Sequence, residues 1–171
     1  LNGRVKSYRE AHMIRYPPSI EVEEVPLEVR NRQIVRGLAE RIRQLYEAIV
    51  ERFGDAGLDL IRDVSRAYGE SVARRVRERE GKMDIAGVGH FVVRVFNNVL
   101  VDGEVTEFGE DRIAIKAVVC PYPFTNPEIC EAHTTMEEAL VCGLNEDLDY
   151  FIERSIPRGD PHCLHVICRK K

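Results

Sequence analysis

The sequence predicts an α+β fold, with N-terminal helices packed on a C-terminal antiparallel sheet that carries an inserted helix. Three observations predict it. Apolar residues recur at steps of three and four as far as Val99, which is the period of one helix face. Near residue 102 the apolar period becomes two, as in a half-buried strand. Short turns rich in Gly, Pro and Asp then separate the later segments, and so short a connection joins neighbouring strands antiparallel.

Residues 1–26 are charged and irregular, with Pro17, Pro18 and Pro26 as breakers, and read as an arm lying on the domain or on a partner. Residues 27–171 form a single domain in this reading. Ile34, Leu38, Ile42, Leu45, Ile49 and Phe53 share one face of a helix over 31–53, ended by Gly54. Asp55 offers an N-cap for a helix over 56–79, striped by Leu58, Ile61, Val64, Tyr68, Val72 and Val76 and closed by Gly81. A third helix, 84–99, has the wide apolar face of Val88, Phe91, Val92, Val95, Phe96 and Val99, with His90 expected to pack in the core. Strands follow at 104–108 and 112–119, joined by a tight turn at 109–111. Pro121 and Pro123 stop the second strand, because proline cannot donate to a ladder. Residues 126–148 look helical, and Thr134 or Thr135 can cap a helix over 134–147 with Glu137 and Glu138 at its positive end. Strands over 150–156 and 162–168 flank the turn Pro157-Arg158-Gly159-Asp160-Pro161.

The chain has 171 residues, enough for one stable core. At 44% apolar and 32% charged it is globular rather than disordered. A net charge of −4 provides no basic field to recruit nucleic acid. The abundant, interleaved Glu and Arg hint at the surface ion-pair networks of a thermophile. No segment has the length of apolar sequence that a membrane span needs. Residues 1–15 lack the apolar region of a signal peptide, and the first residue is Leu1 rather than Met, so the chain reads as a cytoplasmic fragment or processed form. The arm offers a route to a homo-oligomer.

All five cysteines, Cys120, Cys130, Cys142, Cys163 and Cys168, fall after residue 119, together with His133, His162 and His165. An odd number in a reducing compartment points to free thiols or metal ligands rather than disulfides. Cys130 and His133 are three apart, so on a helix they lie to one side. Cys163 and His165 are two apart, so on a strand they share a face, while His162 and Cys168 have the opposite parity. Cys120, Cys130, His133, Cys163 and His165 can therefore converge. Thiolate and imidazole donors suit zinc or iron, with Cys120, Cys130, His133 and Cys163 as the metal set and an iron–sulfur cluster as the alternative. Cys142 and Cys168 read as small buried hydrophobes. Cys130 beside His133 is also the best local pair for a nucleophilic thiol, with Glu131 or Glu137 to orient the imidazole. Gly87-Val88-Gly89 has neither the Walker nor the dinucleotide spacing.

The chain also resembles the L-2-amino-thiazoline-4-carboxylic acid hydrolase-like family. The matching pieces are Leu45-Tyr46-Glu47-Ala48, Phe53-Gly54, the helix Leu58–Val76, Val119-Cys120-Pro121, Ile129-Cys130, Gly143-Leu144 and the closing Arg158-Gly159-Asp160-Pro161-His162-Cys163. The ending is also similar to that of 4-vinyl-reductase-type small-molecule-binding domains. The first resemblance implies hydrolysis of a small cyclic C=N substrate, which needs an activated water, a proton donor and a cation for the substrate carboxylate. A metal on Cys120, Cys130 and Cys163 or His133 would supply the water, His133 and Cys130 the catalytic groups, and Arg158 and Asp160 the substrate contacts. The second implies a non-catalytic sensor or carrier of a small molecule, metal or cluster. A scaffold subunit docking through the arm is the third expectation.

Overall fold

The structure, a computed structural model, describes residues 25–170 together with Pro17, Ser19 and Glu21. Most of the expected arm, and any oligomer built through it, lies outside the described residues. The elements are α1 (Leu27–Phe53), α2 (Asp55–Glu80), α3 (Ile85–Asn98), β1 (Asp102–Phe108), β2 (Arg112–Val119), α4 (Pro127–Leu144), β3 (Leu148–Arg154), a single 3-10 turn at Ile156–Arg158, and β4 (Cys163–Arg169). The strands form one antiparallel sheet in the order β1-β2-β4-β3. This is the expected α+β arrangement.

α1 and α2 form a helical hairpin across Gly54, whose φ of 55° is a conformation that favours glycine. α1 begins directly after Pro26, four residues before the expected start, because a proline ahead of a first turn costs no hydrogen bond there. Its expected apolar face is only partly used. Ile42 and Ile49 pack inward, whereas Ile34, Leu38, Leu45 and Phe53 are exposed and Ala39 is the buried residue.

α2 departs from its expected stripe in the same way. Leu58, Ile61 and Val76 are buried, but Val64 and Tyr68 are exposed, and the buried line runs through Ser65, Gly69 and Ala73 instead. The reason is proximity. α2 lies so close to α4 that a Cβ at Gly69 would stand 2.2 Å from the carbonyl oxygen of Met136. Small side chains, not large ones, allow that approach.

α4 starts at Pro127, with the Asn126 side chain accepting hydrogen bonds from the Glu128 and Ile129 amides. Thr134 and Thr135 are therefore mid-helix residues, not caps, and their hydroxyls donate back to the carbonyls of Glu131 and Ala132. Glu137 likewise sits far from the positive end of the helix.

Two buried clusters result. One joins α3 and the ends of α2 and α4 to the sheet, through Val88, Phe96, Ile113, Ile115, Leu140 and Ile167. The other joins Leu58 and Ile61 of α2 to Phe124, Ile129 and Ala132, with Ile42, Tyr46 and Ile49 of α1 against it. His90, expected in the core, is exposed on α3 with its ring 5.0 Å from that of Phe108. Among the described residues no helix is long and apolar enough to cross a membrane.

Candidate functional site

Where the two clusters adjoin, a largely but not fully enclosed cavity of ≈ 70 Å³ lies within the protein. α3 supplies Val95, Phe96 and Val99; the end of β2 and the following loop supply Ala117, Cys120, Tyr122 and Phe124. α4 supplies Cys130, His133, Met136 and Glu137, and the sheet adds Ile152, Cys163 and His165. Sheet register explains the last group. His165 pairs with Ile115 on one side and Ile152 on the other, and Cys163 pairs with Ala117, so these side chains share one sheet face.

All five residues expected to converge therefore border one cavity. Their arrangement is not a ligand shell: among the described residues no three Cys, His, Asp or Glu side chains are placed to hold one ion. The zinc, iron and iron–sulfur expectations receive no geometric support from the described residues. The other expected residues lie elsewhere. Cys142 and Cys168 are half-buried rather than buried, and the Cys142 thiol donates to the Leu148 carbonyl at 3.4 Å. Asp160 lines no part of the cavity; its carboxylate accepts the Ser155 amide at 2.8 Å and closes the turn before β4. Arg158 stands outside, ion-paired with Glu131 at an open cleft of ≈ 320 Å³. Cys130, Thr134 and Ile152 line both spaces, so they form the partition between cleft and cavity.

The cavity is electrostatically unusual. Cys130, His133 and Glu137 follow one another at helical spacing along α4 and present their side chains inward. His133 is buried within a box of Tyr46, Tyr122 and Phe124, whose ring centroids lie 5.9, 4.4 and 5.2 Å from its own. Neither of its ring nitrogens has a hydrogen-bond partner among the described residues, and burial pushes its pKa down to about 4. Glu137 as a residue is half-buried, but its Oε2 is sealed from solvent and has no partner. Desolvation raises its carboxyl to about 8, against a smaller opposing pull from its own backbone amide.

The thiols are equally far from reactive. Desolvation, reinforced by Cys120 and Cys163, pushes Cys130 up to about 12. Cys120 is exposed as a residue yet lines the cavity, and desolvation there lifts its thiol to about 11 while a hydrogen bond with the Tyr122 backbone opposes the rise. Cys130 and His133 share no hydrogen bond, so the pair lacks the thiolate that nucleophilic attack requires. His165 differs from His133 in being satisfied: its Nδ1 shares a hydrogen bond with the Tyr150 hydroxyl at 2.6 Å.

The sequence reading offers Glu137 both at the positive end of a helix and as an orienting partner of His133; the structure places it mid-helix on the cavity wall, beside an aromatic box that this reading does not contain. The signal for Glu137 was present: once α4 starts at Pro127, Cys130, His133 and Glu137 fall on one face. The box was not readable, because Tyr46 reaches His133 from the first helix.

No protein-family model matches the chain, and no curated protein does. Solved structures match by fold. The phenol-responsive sensory domain of the transcription activator PoxR, solved with phenol, aligns with a TM-score of 0.54 at 12% identity, covering 79% of this chain and 74% of that one. A trafficking protein particle complex subunit 3 from Naegleria fowleri, covalently bound to palmitic acid, aligns with a TM-score of 0.53 at 10% identity, covering 84% and 97%. At such identities the likeness is one of fold.

Proposed function

We propose that this chain is a small-molecule-binding domain, a sensor or carrier whose ligand occupies the enclosed cavity between α3, α4 and the sheet. The observation that carries the reading is the cavity itself: enclosed, mostly apolar, and bordered by a few inward-facing polar groups, which is how small-molecule sites are built. A space of ≈ 70 Å³ is about half that of a cavity that holds benzene, roughly 150 Å³, so it encloses only a few heavy atoms of the ligand, with the rest toward the open cleft. Two proteins of similar fold were solved with a phenol and with a palmitate, and these support a ligand-holding role for this architecture. The open cleft shares Cys130, Thr134 and Ile152 with the cavity and offers a route in.

The test is calorimetric titration with toluene and phenol, repeated with Ala117→Leu. Ala117 is buried and lines the cavity, so the larger side chain fills it. Saturable binding by the wild type, lost in a folded variant, is the expected result. Binding that survives the substitution, or no binding by the wild type, overturns the reading.

One observation favours a second reading, hydrolysis of a cyclic C=N substrate as the family resemblance implies. A carboxyl raised to about 8 inside a cavity is suited to deliver a proton near neutral pH. Turnover of 2-amino-thiazoline-4-carboxylate that disappears in Glu137→Gln would establish it; no turnover by the wild type would remove it.

A further inference from the structure

Resting on the reading of the cavity as a ligand site, we propose that its ligand is a small nitrogenous cation, such as an amidinium or a protonated ring amine, and that Glu137 is its anchor. The argument starts from what the cavity lacks. Among the described residues, its wall contains a carboxyl group but no Lys or Arg. Apart from Glu137, every titratable group of the cavity wall among the described residues is a thiol, a phenol or an imidazole: Cys130 and His133 from the same helix as Glu137, Cys120 and Tyr122 from the end of β2 and its loop, and Cys163 and His165 from β4; the Tyr150 phenol of β3 lies close enough to interact with the Glu137 charge. None supplies a positive charge while the imidazoles stay neutral, as their burial requires. A buried carboxyl with neither counter-ion nor hydrogen-bond partner at Oε2 is an exception among buried polar groups. A neutral apolar ligand leaves that oxygen unsatisfied, whereas an N–H donor carrying positive charge satisfies both deficits at once.

His133 lies one turn away on the same face with both ring nitrogens unpartnered, and in the neutral imidazole one of them is free to accept from a second N–H of the same ligand. Phe96, Tyr122 and Phe124 line the same wall and offer apolar ring surface to the ligand. The exchange balances: a cation enters, the Glu137 O–H bond breaks, its proton leaves to solvent, and a carboxylate–cation pair remains. Binding is therefore coupled to proton release, which a purely structural role for Glu137 would not produce.

The experiment titrates wild type and Glu137→Gln with benzamidine, phenol and toluene at pH 7, each in two buffers of different ionisation enthalpy. In the wild type, benzamidine is expected to bind at least about tenfold tighter than phenol or toluene, the difference that one charge-assisted hydrogen bond provides. It should release most of one proton per site, read from the buffer dependence of the heat. In Glu137→Gln the three affinities become similar and no proton is released. If phenol and toluene bind the wild type and benzamidine does not, the cation assignment is overturned while the ligand-site reading stands. A benzamidine preference that persists in Glu137→Gln overturns the role of Glu137. If none of the three binds the wild type, the underlying reading fails and the inference with it.

Discussion

Replacing Glu137 by Gln should stabilise the ligand-free protein, and by an amount that grows with pH. In the folded state desolvation holds the carboxyl at about 8, against an ordinary value of 4.5. Between those two values the unfolded chain has lost the proton while the folded chain retains it. The folded state then binds more protons, so stability is full below pH 4.5 and falls as pH rises toward 8. Integrating one proton over that interval gives an upper bound of roughly 4–5 kcal/mol, of which about 1.5 kcal/mol falls between pH 6.5 and 8. Gln fills nearly the same volume and carries no charge, so it removes the dependence. The histidines titrate identically in both proteins and cancel in the difference. The assay is urea unfolding of both proteins at pH 5, 6.5, 7.25 and 8 under reducing conditions. The pH-dependent gap in favour of Gln should be about 1 kcal/mol or less at pH 5, and it should widen by about 1.5 kcal/mol from pH 6.5 to 8. A gap that stays constant across that range would show that Glu137 ionises normally, and the desolvation argument would be wrong.

His133→Phe keeps a ring in the aromatic box and removes two unpartnered nitrogens, so it should stabilise the protein by about 1 kcal/mol at pH 7. It should also reduce acid sensitivity. Folded His133 stays neutral down to about pH 4 while the unfolded imidazole protonates near 6.5, so wild-type stability falls by up to about 3 kcal/mol from this residue as pH drops through that interval. Unfolding at pH 7 and 5 measures both effects, and His165, also held near 4, retains its own share of the slope. Gly69→Ala should cost about 1–3 kcal/mol in urea unfolding, because the new Cβ would stand 2.2 Å from the Met136 carbonyl and the backbones of α2 and α4 must part; the helix-propensity gain of about 1 kcal/mol acts the other way and is outweighed. Asn126→Ala removes the cap of α4 and should cost about 1 kcal/mol in the same assay.

The order of helices and strands was legible because each segment declares its own period. A face of Val88, Phe91, Val92 and Phe96 is helical and buried wherever it packs, and Ile113, Ile115 and Ala117 alternate for the same local reason. Convergence of the site was legible in part. Side-chain parity on a strand and phase on a helix are local geometry, so Cys163 with His165, and Cys130 with His133, could be assigned common faces before any tertiary contact was known. Those pairs do border one cavity with Cys120.

What the sequence could not determine is set by distances between segments. Whether Ile34, Leu38 and Leu45 are covered depends on where α1 lies, and it leaves them exposed. The line by which α2 packs runs through Ser65, Gly69 and Ala73, because the distance to α4 decides between large and small side chains and no periodicity encodes that distance. The same holds for the chemistry. Sequence allowed thiols and imidazoles to meet; only the tertiary structure decided that they border one space with no Lys or Arg among the described residues of its wall, around a carboxyl whose solvent has been taken away. A pKa is set by the dielectric and the charges surrounding a group, and those are contributed by residues remote in the chain.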